Sequence, residues 1–366
     1  MIDSEVEVLT FDPDQATEDD FVAINAYDNR MRVEAWPGDP PAPLEQTRQQ
    51  WRGLPSYIDQ RTWFVWRKPR LEIVAQGGVT LLRTPENRHA AWAWIGVGPE
   101  RRRKGIATAL LRLIVDAARL DGRRLLIGMT SSTVPAGAAF MARLGAQSAQ
   151  ATYTNQLDIE DLNHGLVREW LERSAALHGE FELVLVEGAY PESELEAIAE
   201  LQTVMNTAPR DDLDVEDSRG DPDQLRQLEA YYAEQKTERW MMYLRHLPSS
   251  RLAGYTEVYW EPTQPHVLNQ GDTGVFPKYR TRGLGTWLKA AMIEKVLRDR
   301  PEVRLVRTGN AQSNAPMLRI NEQLGFRPYR SNINWQVEIE RVEAWLASRA
   351  AAVSSPTTAA SARPPV

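Results

Sequence analysis

Val6 to Phe11 alternates apolar and polar side chains, as a half-buried strand does. Glu18 to Ala26 then takes up helical spacing behind the cap region Thr17-Glu18-Asp19-Asp20. A proline-rich loop, Trp36 to Pro43, precedes a second helix and two apolar strand-like runs, Thr62 to Trp66 and Ile73 to Val79. The same order returns further on. Phe181 to Val186 reads as a strand and Glu192 to Met205 as an amphipathic helix, and the acidic loop Pro209 to Asp217 follows. The strand pair of this second half is Trp240 to Leu244 with Leu252 to Trp260. Each half continues with a further strand, Leu125 to Met129 or Val303 to Thr308, and a helix ending in Leu-Gly. The closing strands also echo one another, at Asn155 to Glu160 and Asn334 to Ile339. Such self-similarity over about half a chain predicts a duplicated unit.

The sharpest repeat joins a strand to a helix. Val97-Gly98-Pro99-Glu100-Arg101-Arg102-Arg103-Lys104-Gly105-Ile106-Ala107 matches Val275-Phe276-Pro277-Lys278-Tyr279-Arg280-Thr281-Arg282-Gly283-Leu284-Gly285, with Gly105 and Gly283 standing 178 residues apart. A helix start offers N–H groups without intrahelical partners, and its dipole favours an anion. Glycine lets a phosphate approach the main chain, and arginines suit a diphosphate. Neither copy has the spacing of a P-loop or of a dinucleotide fingerprint. A single copy could be a charged helix start; two in matching contexts make that reading much less favoured than an anion site.

Length and composition narrow the class. A chain of 366 residues exceeds one ordinary core, and its 42% hydrophobic and 25% charged residues are those of a globular protein. The net charge of −7 argues against nucleic acid and anionic membrane as partners. With no cysteine there is no thiolate chemistry, and the five scattered histidines lack metal-ligand spacing, so no metal is expected. No run reaches membrane-spanning length, and a cytoplasmic location is the expectation. The Ala/Ser/Thr/Pro stretch 350–366 reads as a disordered tail.

Strands, a basic R-x-x-G-x-G/A turn opening a helix, another strand and a helix ending in Leu-Gly-Phe together resemble the GNAT superfamily of acyl-CoA-dependent N-acetyltransferases. The resemblance spans nearly all of residues 5–345 as two tandem copies, an arrangement similar to that of mycothiol synthase. It implies an α/β fold of two GNAT-like domains, each a mixed, mostly antiparallel splayed sheet flanked by helices. The expected boundaries are 1–162, a helical linker 163–179, and 180–349. The resemblance further implies acetyl-CoA as donor, a primary amine of a small molecule or peptide as acceptor, and a pseudo-dimer within one chain, expected as a monomer.

Carried over residue by residue, the cofactor would be held by Val97, Arg102, Arg103, Lys104, Gly105, Ile106 and Ala107 in the first half. In the second half the matching positions are Val275, Arg280, Thr281, Arg282, Gly283, Leu284 and Gly285, joined by Asn310 and Asn314. The first half departs further from the pattern. Val134 and Met141 stand at the positions of the family's later Asn and Tyr, and Ala146 replaces the Phe of Leu-Gly-Phe. The second half keeps Asn314 and Phe326 but has Asn321 at the Tyr position. The second half is therefore expected to be catalytic and the first a degenerate partner.

Acetyl transfer to an amine needs a base for the ammonium, a donor for the oxyanion and a proton for the departing thiolate. The resemblance places the oxyanion donor at backbone N–H near Val275. The family's frequent Glu position is Ala91 or Asn269 here, so Glu257 and Asp272 are the substitute candidates. Both also read as structural carboxylates, and no general acid is assigned. His89 and His266 lie just before the central strands and read as surface residues; Trp63, Trp66, Trp92 and Trp94 read as packing. The Asp211 to Asp217 run is a solvated loop or an attractor for a cationic amine at the acceptor cleft. A noncatalytic acyl-CoA-binding module is the alternative function.

Overall fold

The computed structural model describes residues 4–70 and 72–354. The first half runs β1 (Val6–Phe11), α1 (Glu18–Ala35), α2 (Leu44–Gln49), β2 (Ile58–Arg67), β3 (Glu72–Leu82), β4 (Ala90–Val97), α3 (Ile106–Leu120), β5 (Leu125–Ser131), α4 (Pro135–Leu144), β6 (Gln147–Asp158) and α5 (His164–Ser174). The second repeats that order as β7 (Phe181–Glu187), α6 (Leu195–Gln202), α7 (Pro222–Glu234), β8 (Glu238–His246), β9 (Arg251–Trp260), β10 (Val267–Val275), α8 (Leu284–Asp299), β11 (Leu305–Ala311), α9 (Ala315–Leu324), β12 (Arg327–Glu338) and α10 (Ile339–Ser354). The expected linker helix is therefore α5, an element of the repeat with α10 as its counterpart. The long helix expected over Glu192 to Met205 is shorter, because 3-10 turns at Glu192–Glu194 and Thr203–Thr207 flank α6.

Local sequence explains most helix starts. Thr17 and Asp20 form a reciprocal capping box at α1, and Asp221 caps α7 ahead of Pro222. The apolar stripe Ile106, Leu110, Ile114 and Ala118 of α3 is fully buried against the sheet. At the other end of the chain α10 extends to Ser354, beyond the expected start of the tail. Alanines at 347 and 350–352 favour helix, while Val342 and Leu346 anchor it to α3. Residues 355–366 lie outside the described residues.

Among the described residues, twelve strands form one sheet in the order β1-β2-β3-β4-β5-β12-β6-β11-β10-β9-β8-β7. The pairs β4·β5 and β10·β11 are parallel and the rest antiparallel. At the centre the halves trade their last strands. β12 lies along β5, from Asn332 opposite Ser131 to Glu338 opposite Leu125, and β6 lies along β11, from Leu305 opposite Asp158 to Ala311 opposite Thr152.

The following helices go with their strands. Leu157, Leu162, Val167 and Trp170 of the first half pack in the core of Leu284, Leu288, Met292 and Phe326. Val337, Ile339, Val342 and Leu346 of the second half complete the core of Ile106, Leu110, Ile114 and Leu144. At about 2 kcal/mol per buried large side chain, each exchange holds the lobes together by something on the order of 8 kcal/mol. The two lobes therefore do not coincide with the sequence boundaries at 162 and 180, since each is completed by the other half's last strand and helix.

The connecting loops cross as well. Asp39 of the first half pairs with Arg307 on β11 at 2.6 and 2.7 Å, while Trp36 stacks on Tyr329 with ring centroids 6.1 Å apart. In the opposite direction Asp214 meets Arg124 at 2.9 Å, and Leu213 and Val215 cover Ala90 and Leu125. The acidic run is thus a clasp onto the first half, with Asp214 meeting Arg124 and His89 and Glu216 meeting Asn87. Among the described residues no helix is long and apolar enough to cross a membrane.

Candidate active site

The two glycine turns adopt one geometry. Arg103 and Thr281 have φ of +66° and +64°, and Gly105 and Gly283 have φ of +82° and +84°, immediately ahead of α3 and α8. Glycine meets that positive φ without the strain a Cβ would add. The first N–H groups of each helix are left facing outward, which makes an anion cradle. Ile106 and Leu284 bury their side chains in the two cores, so what they offer a ligand is backbone. A Cβ on Gly285 would meet only the Val275 Cγ2, at 3.9 Å, and on Gly309 nothing within 4 Å. That open space fits a long, narrow cofactor arm.

Several basic side chains expected to face phosphate are turned to the protein instead. Arg102 Nε donates to the Val97 carbonyl at 3.1 Å and Arg280 Nε to the Val275 carbonyl at 2.8 Å, so both brace the turn against the strand that feeds it. Arg102 also pairs with Glu34 at 2.9 Å, and Arg280 donates to the Thr207 hydroxyl. Arg282 forms a two-pronged pair with Glu180, one arm at 2.7 Å, and sits over the Phe181 ring. Arg103 and Lys104 remain exposed. The braces serve the same end indirectly, by fixing where the N–H groups point.

The sheet splays beside each turn. β4 and β5 pair only from Ala90 to Trp92, and β10 and β11 only from Val267 to Gln270. The strand ends, Ala93 to Val97 and Gly271 to Val275, thus keep a backbone edge free for a ligand. In the first half the opening is a cavity of about 460 Å³, lined by Trp94, Val97, Met129, Val134, Phe140 and Trp345. Trp345 lies on the exchanged helix α10, so this cleft is walled by both halves.

The halves differ at one pair of positions. Counting from the strand ends Val97 and Val275, Trp94 corresponds to Asp272, and their neighbours across the ladder, Gly78 and Glu257, correspond too. In the first half β3 and β4 run in unbroken register, and a Cβ on Gly78 would fall inside the Trp94 indole. In the second half the register slips: Val258 faces Gln270 and Thr256 faces Thr273, so Gly271 and Asp272 together oppose Glu257. This is a β-bulge, which re-aims side chains next to functional sites.

Glu257 is 5% exposed, and its Oε2 has no hydrogen-bond partner. Burial first, and the neighbouring Asp272 second, push its carboxyl up to about 7. Asp272 opens to solvent at the edge, receives the Tyr255 hydroxyl at 3.4 Å, and is raised by its partial burial. A carboxylate poised near neutral pH is suited to taking a proton from an ammonium. The two candidates named from sequence are brought together here.

The asparagines take other duties. Asn310 Oδ1 accepts from Asn321 Nδ2 at 2.7 Å and from Asn155 Nδ2 at 3.2 Å, closing a network in which Asn155 comes from the other half. Asn314 is the N-cap of α9, accepting from the Met317 N–H at 3.3 Å. His89 contacts Asp214 and His266 the Glu302 carbonyl, each tying down a loop. Sequence reading passed over Lys289 on α8, which is 1% exposed, lies 5.7 Å from the Phe326 ring centre and is lowered to about 7 by desolvation. Its only signal was the repeat, which sets it opposite Leu111, a wall of the first-half cavity.

With this geometry in place, the chain can be compared with known proteins. Residues 25–146 match the model of the acetyltransferase (GNAT) family. The chain is similar to a tandem GNAT protein from the clavulanic acid biosynthesis pathway, with 26% identity over 92% of this chain and 99% of that one and a TM-score of 0.72. It is also similar to a GCN5-related N-acetyltransferase from Sphaerobacter thermophilus, at 14% identity over 93% and 97% of the two chains, with a TM-score of 0.62. No curated protein matches in sequence. Residues 25–146 thus match a GNAT acetyltransferase domain, and the fold of the whole chain is similar to that of the tandem GNAT protein. The family match falls on the half in which Trp94 stands where the second half has Asp272.

Proposed function

We propose that the chain is an acetyl-CoA-dependent N-acetyltransferase acting on a primary amine, with the chemistry in the second half and the first half a degenerate acyl-CoA-binding partner. The observation that carries the choice of half is Glu257, a buried carboxylate with a free Oε2 beside the bulge at Gly271 and Asp272. The family match and the tandem neighbour support acetyl transfer. The difference between Glu257 and Gly78 supports assigning turnover to one half.

Each residue then has a stated task. The backbone N–H groups of Thr281 to Gly285 hold the diphosphate, and the free edge of β10 near Val275 receives the pantetheine arm and the oxyanion. Acetyl-CoA supplies the thioester. Glu257 takes a proton from the ammonium, directly or through water by way of Asp272, and the freed amine forms the new C–N bond as the C–S bond breaks. Asn321, at the position where the family often has a Tyr, carries no acid proton, so the thiolate leaves to solvent protonation.

Thiol release from acetyl-CoA across a panel of amines tests the reading. Amine-dependent release that is lost in Glu257→Gln is expected. Tight acetyl-CoA binding without turnover on any amine would establish the noncatalytic binding module in its place.

A further inference from the structure

The surroundings of Glu257 narrow the acceptor, given the transferase reading above. Three carboxylates, Glu257, Asp272 and Glu229, gather under a group of phenols that includes Tyr190, Tyr255 and Tyr259. Arg239 is the cation acting on Glu257, and it is already committed. Its Nη2 donates to the Gly188 carbonyl at 2.6 Å and to Glu229 at 3.1 Å, and its guanidinium lies 3.6 Å from the Tyr190 ring centre. Among the described residues the hydrogen bond of Asp272 comes from a tyrosine, and Arg239 is held by Glu229. Glu257 Oε2 is buried without a hydrogen-bond partner, and beside it Asp272 is exposed at the sheet edge and Tyr259 is half-buried.

A site of this kind attracts an ammonium electrostatically. It has nothing with which to pair a carboxylate, and an acidic group on the substrate would meet Asp272 and Glu257 at short range, where like charges are costly. We infer that the acceptor is an alkyl- or arylalkylamine bearing no carboxylate next to its reacting nitrogen, as distinct from a free amino acid. Half-buried Tyr259 is the ring its hydrocarbon part meets, and exposed Asp272 is the group that rejects the acid.

Matched pairs differing only in that carboxylate provide the test: tyramine with tyrosine, 1,4-diaminobutane with ornithine, and agmatine with arginine. Thiol release by the full chain at fixed acetyl-CoA should give kcat/KM at least tenfold higher for the amine of each pair. Asp272→Asn should narrow the gap by improving the acids, with melting temperature as the control for folding. Equal or better use of the acids overturns the inference while leaving the transferase reading intact. Absence of turnover on every member, with acetyl-CoA still bound, overturns both.

Discussion

The indole of Trp94 lies across Gly78 in the first half, at the ladder position where the second half has Asp272 beside Glu257. The two glycine turns, by contrast, superpose in their backbone angles. Substitution at the turns therefore separates binding from chemistry. Gly283→Glu, which adds a side chain and a negative charge to the cradle, is expected to abolish turnover. Gly105→Glu should leave kcat within about threefold, a change worth under ~1 kcal/mol. Loss of activity only in Gly105→Glu would move the chemistry to the first half.

Glu257 sets a pH limb. Its carboxyl is raised to about 7, and only the ionised form accepts a proton, so kcat/KM should climb with pH through about 7 and level off above it. Glu257→Gln should lower kcat by roughly 100-fold or more and remove that limb. A profile with its limb unchanged in the variant would assign the base elsewhere.

Asp39 and Arg307 are 6% and 8% exposed, and they join a loop of one half to a strand of the other. Removing one member of such a buried pair strands the other charge, and Arg307→Met should cost about 3 kcal/mol. Asp39 retains Arg32 at 3.6 Å as a weaker partner. A double-mutant cycle with Asp39→Asn, followed by denaturant unfolding, should return a coupling of at least ~1 kcal/mol.

Lys289 links stability to pH in the opposite sense from most lysines. Its folded-state value is lowered to about 7, while the unfolded chain holds the proton to about 10.4. Between those limits the unfolded state binds more protons, so stability from this group rises as pH increases from about 7 towards 10. Lys289→Met should raise stability at pH 7 and flatten that rise. Parallel unfolding curves for the two proteins across the range would contradict the assignment.

Much of the fold was legible along the chain because it is local. The cap at Thr17, the buried stripe of α3 and the glycine turns are each written in a few contiguous residues, and duplication made every such sign appear twice. The side chains of the turns were less legible. Arg102, Arg280 and Arg282 suit phosphate by type, yet Val97, Val275 and Glu180 claim them, partners that become near only on folding. The docking of the acidic loop was not legible for the same reason, since its acids are exposed as read but Asp214 finds Arg124 across 90 residues.

By itself, then, the sequence determined two copies of one β-α-α-β-β-β-α-β-α-β-α unit, the anion-binding turn in each, and the pair of carboxylates worth testing. The tertiary structure decided that β6 with α5 and β12 with α10 are exchanged between lobes, because an alternating strand specifies which face is buried and not which neighbour it pairs with. It also decided that Glu257 meets two residues where Gly78 meets Trp94. A bulge is one extra residue in a ladder, and it shows only when both strands are laid side by side.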